Sequence, residues 1–337
     1  MPQSTSKLRL LPTPVKQIPI GTLEKLTQTK RSDLSAPAPG VLIIDKPGGI
    51  TSHGVVSVVR RTVGTRKVGH AGTLDPMATG VLVIGVGQAT KVLGHLALRE
   101  KEYFATIRLG ASTTTDDREG DVLERAEPML LAAMRDDEIV AAVSRYVGKI
   151  HQVPSSISAI KVDGQRAYAR VRAGEDLQLK AREVEITAFE VRSITRSNDG
   201  IDVDVRVECS TGTYIRALAR DLGRDLGVGG HLSALRRSSV GPFGIDVSHE
   251  LVPWSEGPQP EAAIMPLADV ARAAFSCFEV HGERAADITH GRRIEWPDTD
   301  SAVIALVDGA GVLHALAEER EGRCSYLCVF VTASGSE

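Results

Sequence analysis

The sequence predicts a mixed α and β protein, with one large unit followed by a small β-rich C-terminal part. Three observations carry this. The chain has 337 residues, more than one ordinary small domain holds. Short apolar runs and segments of helical periodicity are interleaved along the first two thirds. A Pro- and Gly-bearing stretch, Trp254 to Pro260, then precedes three further runs of strand length.

Residues 1–39 are rich in Ser, Thr, Pro, Lys and Gln and read as a flexible extension without the apolar core of a secretory signal. Structure is expected from Val41 to Asp45, a buried strand stopped by Lys46-Pro47-Gly48-Gly49. Thr51 or Ser52 can cap a helix running to about Val63, with Val55, Val56, Val59 and Val63 on one face. A polar, Gly-rich stretch from Gly64 to Gly80 leads to a strand at Val81 to Val86 and a short helix from about Gln88. Tyr103 to Leu109 alternates as a strand does. Glu127 to Val147 reads as one helix with Pro128 near its start. A basic stretch, His151 to Arg182, precedes strands at Val184 to Ile194 and Ile201 to Glu208. Thr213 to Leu226 reads as a helix ended by Gly227. Beyond the linker, Ala302 to Val307, Val312 to Ala317 and Tyr326 to Val331 read as strands.

Composition narrows the function. Apolar residues make up 42% and aromatics only 4%, so aliphatic side chains must build the core. No stretch reaches the apolar length of a membrane-spanning helix. The net charge of −3 hides an asymmetry. Gly40 to Gly110 carries nine Lys and Arg against four Asp and Glu, whereas Leu251 to Glu337 carries six against fourteen. Such a division suits an RNA-facing basic part joined to an acidic one, and equally two solvated faces. Of four cysteines, only Cys324 and Cys328 are close, and no second Cys/His pair completes a zinc site. Reduced thiols in a cytosolic protein are expected.

The stretch most informative about chemistry is Gly69-His70-Ala71-Gly72-Thr73-Leu74-Asp75-Pro76-Met77-Ala78-Thr79-Gly80. Pro76 lacks an N–H and pushes Asp75 toward extended geometry, while the glycines let backbone approach a ligand. From the residues alone, Asp75 either caps a turn or is presented to a substrate. This run, with Asp45-Lys46-Pro47 upstream and Thr211-Gly212-Thr213-Tyr214-Ile215-Arg216 downstream, resembles the TruB family of tRNA pseudouridine synthases from about Val41 to Phe243.

The resemblance implies an α+β fold, a mixed, largely antiparallel sheet flanked by helices. It implies a catalytic domain over 40–253, an RNA-gripping insertion over 151–182, and a small PUA-like domain over 262–337. The implied activity is isomerisation of uridine 55 in the TΨC arm of tRNA. Asp75 matches the family's catalytic carboxylate, Tyr103 its active-site tyrosine and Arg216 the arginine partner of the aspartate. His70 matches a residue near the RNA loop, and Tyr214 and Leu235 match positions lining the uracil pocket. In the segment His151 to Lys161, Ser155 and Ile157 stand where the family has a proline and an aromatic.

These residue types suit the reaction. Glycosidic bond cleavage, rotation of the base and bonding of C5 to C1′ transfer no electron and add no group, so no cofactor or metal is expected. A carboxylate is the expected tool, and a planar guanidinium holds it ionised and oriented. The uracil must be flipped out of a folded loop. Lys46, Arg66, Lys67, Lys91, Lys161, Arg166 and Arg170 are the candidate phosphate contacts. The Gly85 to Thr90 turn only faintly resembles a dinucleotide loop, and Thr113 to Asp117 reads as a solvated loop near the site rather than a metal site. A cytoplasmic monomer acting on tRNA, without guide RNA or membrane, is expected. A tRNA-folding chaperone and a guide-RNA-dependent synthase are the competing readings. Arg108-Leu109-Gly110 running into Thr113-Thr114-Thr115-Asp116 favours the stand-alone form.

Overall fold

The computed structural model describes residues 38–155, 161–162, 165–166, 180–251 and 264–331. The predicted extension, apart from its last two residues, the Trp254 to Pro260 linker and most of the 151–182 insertion lie outside the described residues.

In chain order the elements begin with β1 (Gly40–Lys46), α1 (Ser52–Thr62), β2 (Val68–Ala71), β3 (Thr79–Val86), α2 (Leu93–Ala97) and β4 (Lys101–Leu109). They continue through β5 (Ala111–Thr113), β6 (Val122–Arg125), α3 (Pro128–Ala133), α4 (Asp136–Ser144) and β7 (Gly148–Gln152). A two-stranded pair, β8 (Lys161–Val162) and β9 (Gln165–Arg166), precedes β10 (Arg182–Ser197), β11 (Gly200–Cys209), α5 (Ile215–Asp225), β12 (Gly230–Val240) and β13 (Phe243–Gly244). The remainder is β14 (His249–Glu250), β15 (Met265–Pro266), α6 (Leu267–Ala274), β16 (Ser276–Glu279), α7 (Gly282–Thr289), β17 (Ile304–Val307), β18 (Leu313–Arg320) and β19 (Arg323–Val329).

The main sheet runs β14-β1-β3-β12-β4-β11-β10-β7, with β2, β13 and β15 added off this path. Only the β1–β14 and β3–β12 pairs are parallel, so the expected mixed, largely antiparallel sheet is what forms. The unbroken apolar run of β3 has a simple cause. Leu82, Ile84 and Val86 face one core with α1 and α5, while Val81 and Val83 face a second core with the C-terminal elements. A strand covered on both faces has no use for polar alternation. In β1, likewise, Leu42 and Ile44 join the first core and Val41 and Ile43 the second.

The C-terminal unit is a four-stranded sheet, β16-β17-β18-β19, with α6 and α7. Ala305, Val307, Leu313, Leu316 and Phe330 pack it onto the second core, and its own third core holds Val280, Ile288, Leu306 and Cys324.

Several expectations are corrected. Glu127 to Val147 is not one helix. Pro128 does open α3, but Met134 and Arg135 are extended, and α4 starts afresh with Arg135 N–H donating to Glu138. Within the supposed polar stretch Gly64 to Gly80, β2 pairs with β3. The strand β12, to which no element was assigned, occupies the middle of the sheet. The C-terminal part carries two helices as well as its strands.

Candidate active site

The Asp75 loop is held by buried contacts on both sides. Thr51 caps α1 by accepting from Gly54 N–H at 2.9 Å. This frees Ser52 to turn inward, where its hydroxyl donates to Leu74 O at 3.0 Å and accepts from Leu74 N–H at 2.8 Å. Just after the carboxylate, Pro76 O accepts from Gly49 N–H at 2.9 Å and from the Lys46 ammonium at 3.2 Å. Lys46 also donates to Pro47 O and Ile50 O. Asp75 therefore sits between two pinned residues, with its side chain one-third exposed.

Arg216 meets it from the first turn of α5. Its Nε donates to Asp75 Oδ2 at 2.9 Å and its Nη2 to Oδ1 at 3.1 Å, a two-pronged pairing that a lysine cannot reproduce. Its Nη1 donates to Thr115 O at 2.8 Å and lies 3.5 Å from Asp117 Oδ2. The guanidinium is almost fully buried, and so is Asp117. This overturns the solvated reading of Thr113 to Asp117. Leu232 N–H donates to Asp116 O, and Arg118 N–H donates to Leu232 O, which seats the loop against β12. Arg220, one turn after Arg216, donates to Asp116 at 3.1 Å. Burial pushes the Asp116 carboxyl up, and Arg220 opposes it.

Tyr103 lies on β4 between Val207 of β11 and Arg237 of β12. Burial raises the pKa of its phenol above the usual range, with the nearby Arg237 pulling it back, so it is neutral at physiological pH. Arg237 is itself buried and donates to Val81 O at 2.8 Å and Gly72 O at 2.9 Å. One guanidinium thus touches both the Asp75 loop and the surroundings of Tyr103. Leu235 is buried in the first core, two residues away on the same strand. The irregular register at Leu232/Ala234 keeps Leu232, Leu235 and Arg237 all inward. His70 is half-buried edge-on to His53, and its Nδ1 has no hydrogen-bond partner among the described residues. Burial, then His53 and Arg237, push its pKa down. Tyr214 is the residue before α5.

Of the candidate phosphate contacts, Lys46 is corrected. It is fully buried and its ammonium is spent on three carbonyls, so it braces the loop instead of standing at the surface. Lys91 is turned to the C-terminal sheet, donating to Val329 O at 2.6 Å beside the Phe330 ring. Lys67 is exposed. The Lys161 and Arg166 side chains, and Arg170 altogether, lie outside what the structure describes. Asp117, Arg237 and the inward role of Ser52 were missed. Ser52 opens a helix, Asp117 lies in a loop and Arg237 lies within a strand, and on a sequence each looks solvated.

Comparisons with known proteins place the chain in a family. Residues 60–215 match the N-terminal domain of TruB family pseudouridylate synthases, and residues 216–267 match the tRNA pseudouridylate synthase B C-terminal domain. The fold is that of a pseudouridine synthase. A relative from Thermobifida fusca named tRNA pseudouridine synthase B is 54% identical over 87% of this chain and 99% of its own. Another of that name from Leifsonia xyli is 52% identical over 83% and 93%. The chain belongs to the TruB family. Among solved structures it resembles a chain of a Cbf5-Nop10-Gar1 complex, with a TM-score of 0.64, 27% identity and 90% of each chain covered. An archaeal box H/ACA Nop10-Cbf5 complex matches with a TM-score of 0.63 and 26% identity, over 88% of this chain and 87% of that one.

Proposed function

We propose that this protein converts uridine 55 in the TΨC loop of tRNA to pseudouridine, with Asp75 as the catalytic carboxylate. The observation that carries the reading is the two-pronged Arg216–Asp75 pairing at 2.9 and 3.1 Å, in a loop pinned by Ser52 and Lys46. A guanidinium at that distance holds the carboxylate aimed while an arriving nucleotide displaces water. The target base leaves its stack, at a cost of a few kcal/mol, and enters beside Tyr214 and Leu235. Asp75 reacts with the sugar or base, the glycosidic bond breaks, the uracil turns, and C5 bonds to C1′. Tyr103, neutral by burial, stacks on the displaced base, and the C5 proton is lost to solvent. The protein works as a cytoplasmic monomer on tRNA alone. It needs no guide RNA, although the solved structures it resembles come from complexes titled as H/ACA or Cbf5 assemblies.

The test uses a TΨC stem-loop transcript with tritium at C5 of uridine and purified protein alone. Stoichiometric tritium release is expected. No release from an intact arm contradicts the reading, and release only after guide RNA and partner proteins are added contradicts its stand-alone form.

A further inference from the structure

We infer that Gln152 is a positioning residue for Arg216, and that it ties the start of the 151–182 segment to the catalytic ion pair. Gln152 ends β7 and is buried to within 2% of complete. Its carboxamide clasps one residue in both directions. Nε2 donates to Tyr214 O at 3.0 Å, and Tyr214 N–H donates to Oε1 at 2.8 Å. Tyr214 is the N-cap of α5, and Arg216 is two residues on. Tyrosine is not a residue type that caps helices well. The entry angle of this helix is therefore set from outside, by an amide reaching 62 positions along the chain. A small rotation of the Tyr214 peptide would swing the Arg216 side chain against Asp75.

The next residue adds a second tie. Val153 O accepts from Arg220 Nη2 at 2.8 Å, and the same guanidinium holds Asp116 at 3.1 Å. Asp116 adjoins Asp117, which flanks Arg216. Residues 152 and 153, where the chain enters the RNA-gripping segment, thus brace both the backbone that launches Arg216 and the loop behind its guanidinium. This argument rests on the proposed function, because its readout is pseudouridine formation.

The experiment compares wild type, Q152M, Q152E, R216K and the Q152M/R216K double variant. It measures tritium release under single-turnover conditions, filter-binding Kd for the TΨC stem-loop, and thermal unfolding. Methionine keeps the size and removes both bonds. A fall in rate of about 10- to 100-fold is expected for Q152M, with Kd within about twofold, since two hydrogen bonds and a sub-ångström misplacement carry effects of that size. In the R216K background most of that loss should vanish, because both changes act on one contact. Q152E is the second line of evidence. A protonated glutamic acid can both donate to Tyr214 O and accept from its N–H, but a carboxylate cannot donate. Its rate relative to wild type should therefore rise as pH falls from 8 to 6. An unchanged Q152M rate, a weaker Kd at unchanged rate, losses that simply multiply with R216K, or a pH-independent Q152E ratio would each overturn the inference. Inactive wild type would instead remove the proposed function itself.

Discussion

Lys46 shows how a single side chain can serve the site without facing the substrate. Its ammonium has three hydrogens and meets three carbonyl oxygens, two in its own turn and one on Pro76. Burial pushes its pKa down to about 8, with Asp75 and Glu119 opposing the fall and Arg237 adding to it. In the unfolded chain the same group titrates near 10.5. Between those values the unfolded state binds more proton, so stability rises with pH across the window. Lys46's favourable contribution is complete above the unfolded value and is lost as pH drops through about 8. K46M removes this dependence. Urea unfolding should show the stability difference between wild type and K46M moving toward wild type by about 1–3 kcal/mol from pH 7.5 to pH 10. A constant difference would mean that Lys46 titrates normally. At this scale, the pairing of Asp75 with Arg216 was legible through the motifs that carry them. Asp117 was not, because nothing within five residues of it reveals that the loop is seated on β12.

Among the elements, β3 and β12 fix the spacing of the site, and Gly80 is where they meet. It pairs with Lys46 on one side and Arg237 on the other. Its φ is +101°, and a Cβ there would lie 2.1 Å from Arg237 O and 2.8 Å from Arg237 N. Backbone atoms cannot step aside, so G80A should cost at least about 3 kcal/mol or fail to fold. Gly212 has a φ of +88° but open space around it. G212A should therefore cost only about 1–2 kcal/mol, the strain of the backbone alone. Equal thermal shifts for the two variants would refute the close-approach argument. The pattern of β3 was readable because burial on both faces leaves a continuous apolar run. The pattern of β12 was not, since two register irregularities break its alternation and Arg236-Arg237-Ser238-Ser239 looks like a polar loop. Glu127 to Val147 looked like one helix because propensity alone does not mark the extended pair Met134 and Arg135.

Across the whole molecule, the two sheets share a core that lies on the face of β1 and β3 opposite α1. Leu316 and Phe330 enter it from the C-terminal sheet, and Lys91 closes its edge. L316A should destabilise the protein by about 2–5 kcal/mol through the cavity it leaves. Below its lowered Tm the variant should keep the wild-type turnover, because Tyr103 and the helix that carries Arg216 pack in the other core. Lost turnover in folded L316A would show that the C-terminal sheet shapes the site directly. The strands of the C-terminal sheet were legible from the strand-length runs at 302–307, 312–317 and 326–331. How closely the two sheets pack was not, because such contacts join residues more than 200 positions apart.

We propose that Asp75, held by Arg216, carries the chemistry. Measuring D75N for both stem-loop affinity and C5 tritium release tests it most directly. The substitution removes one charge and almost no volume. A Kd within a few-fold of wild type together with no detectable tritium release is the expected result. Release at the wild-type rate would contradict it.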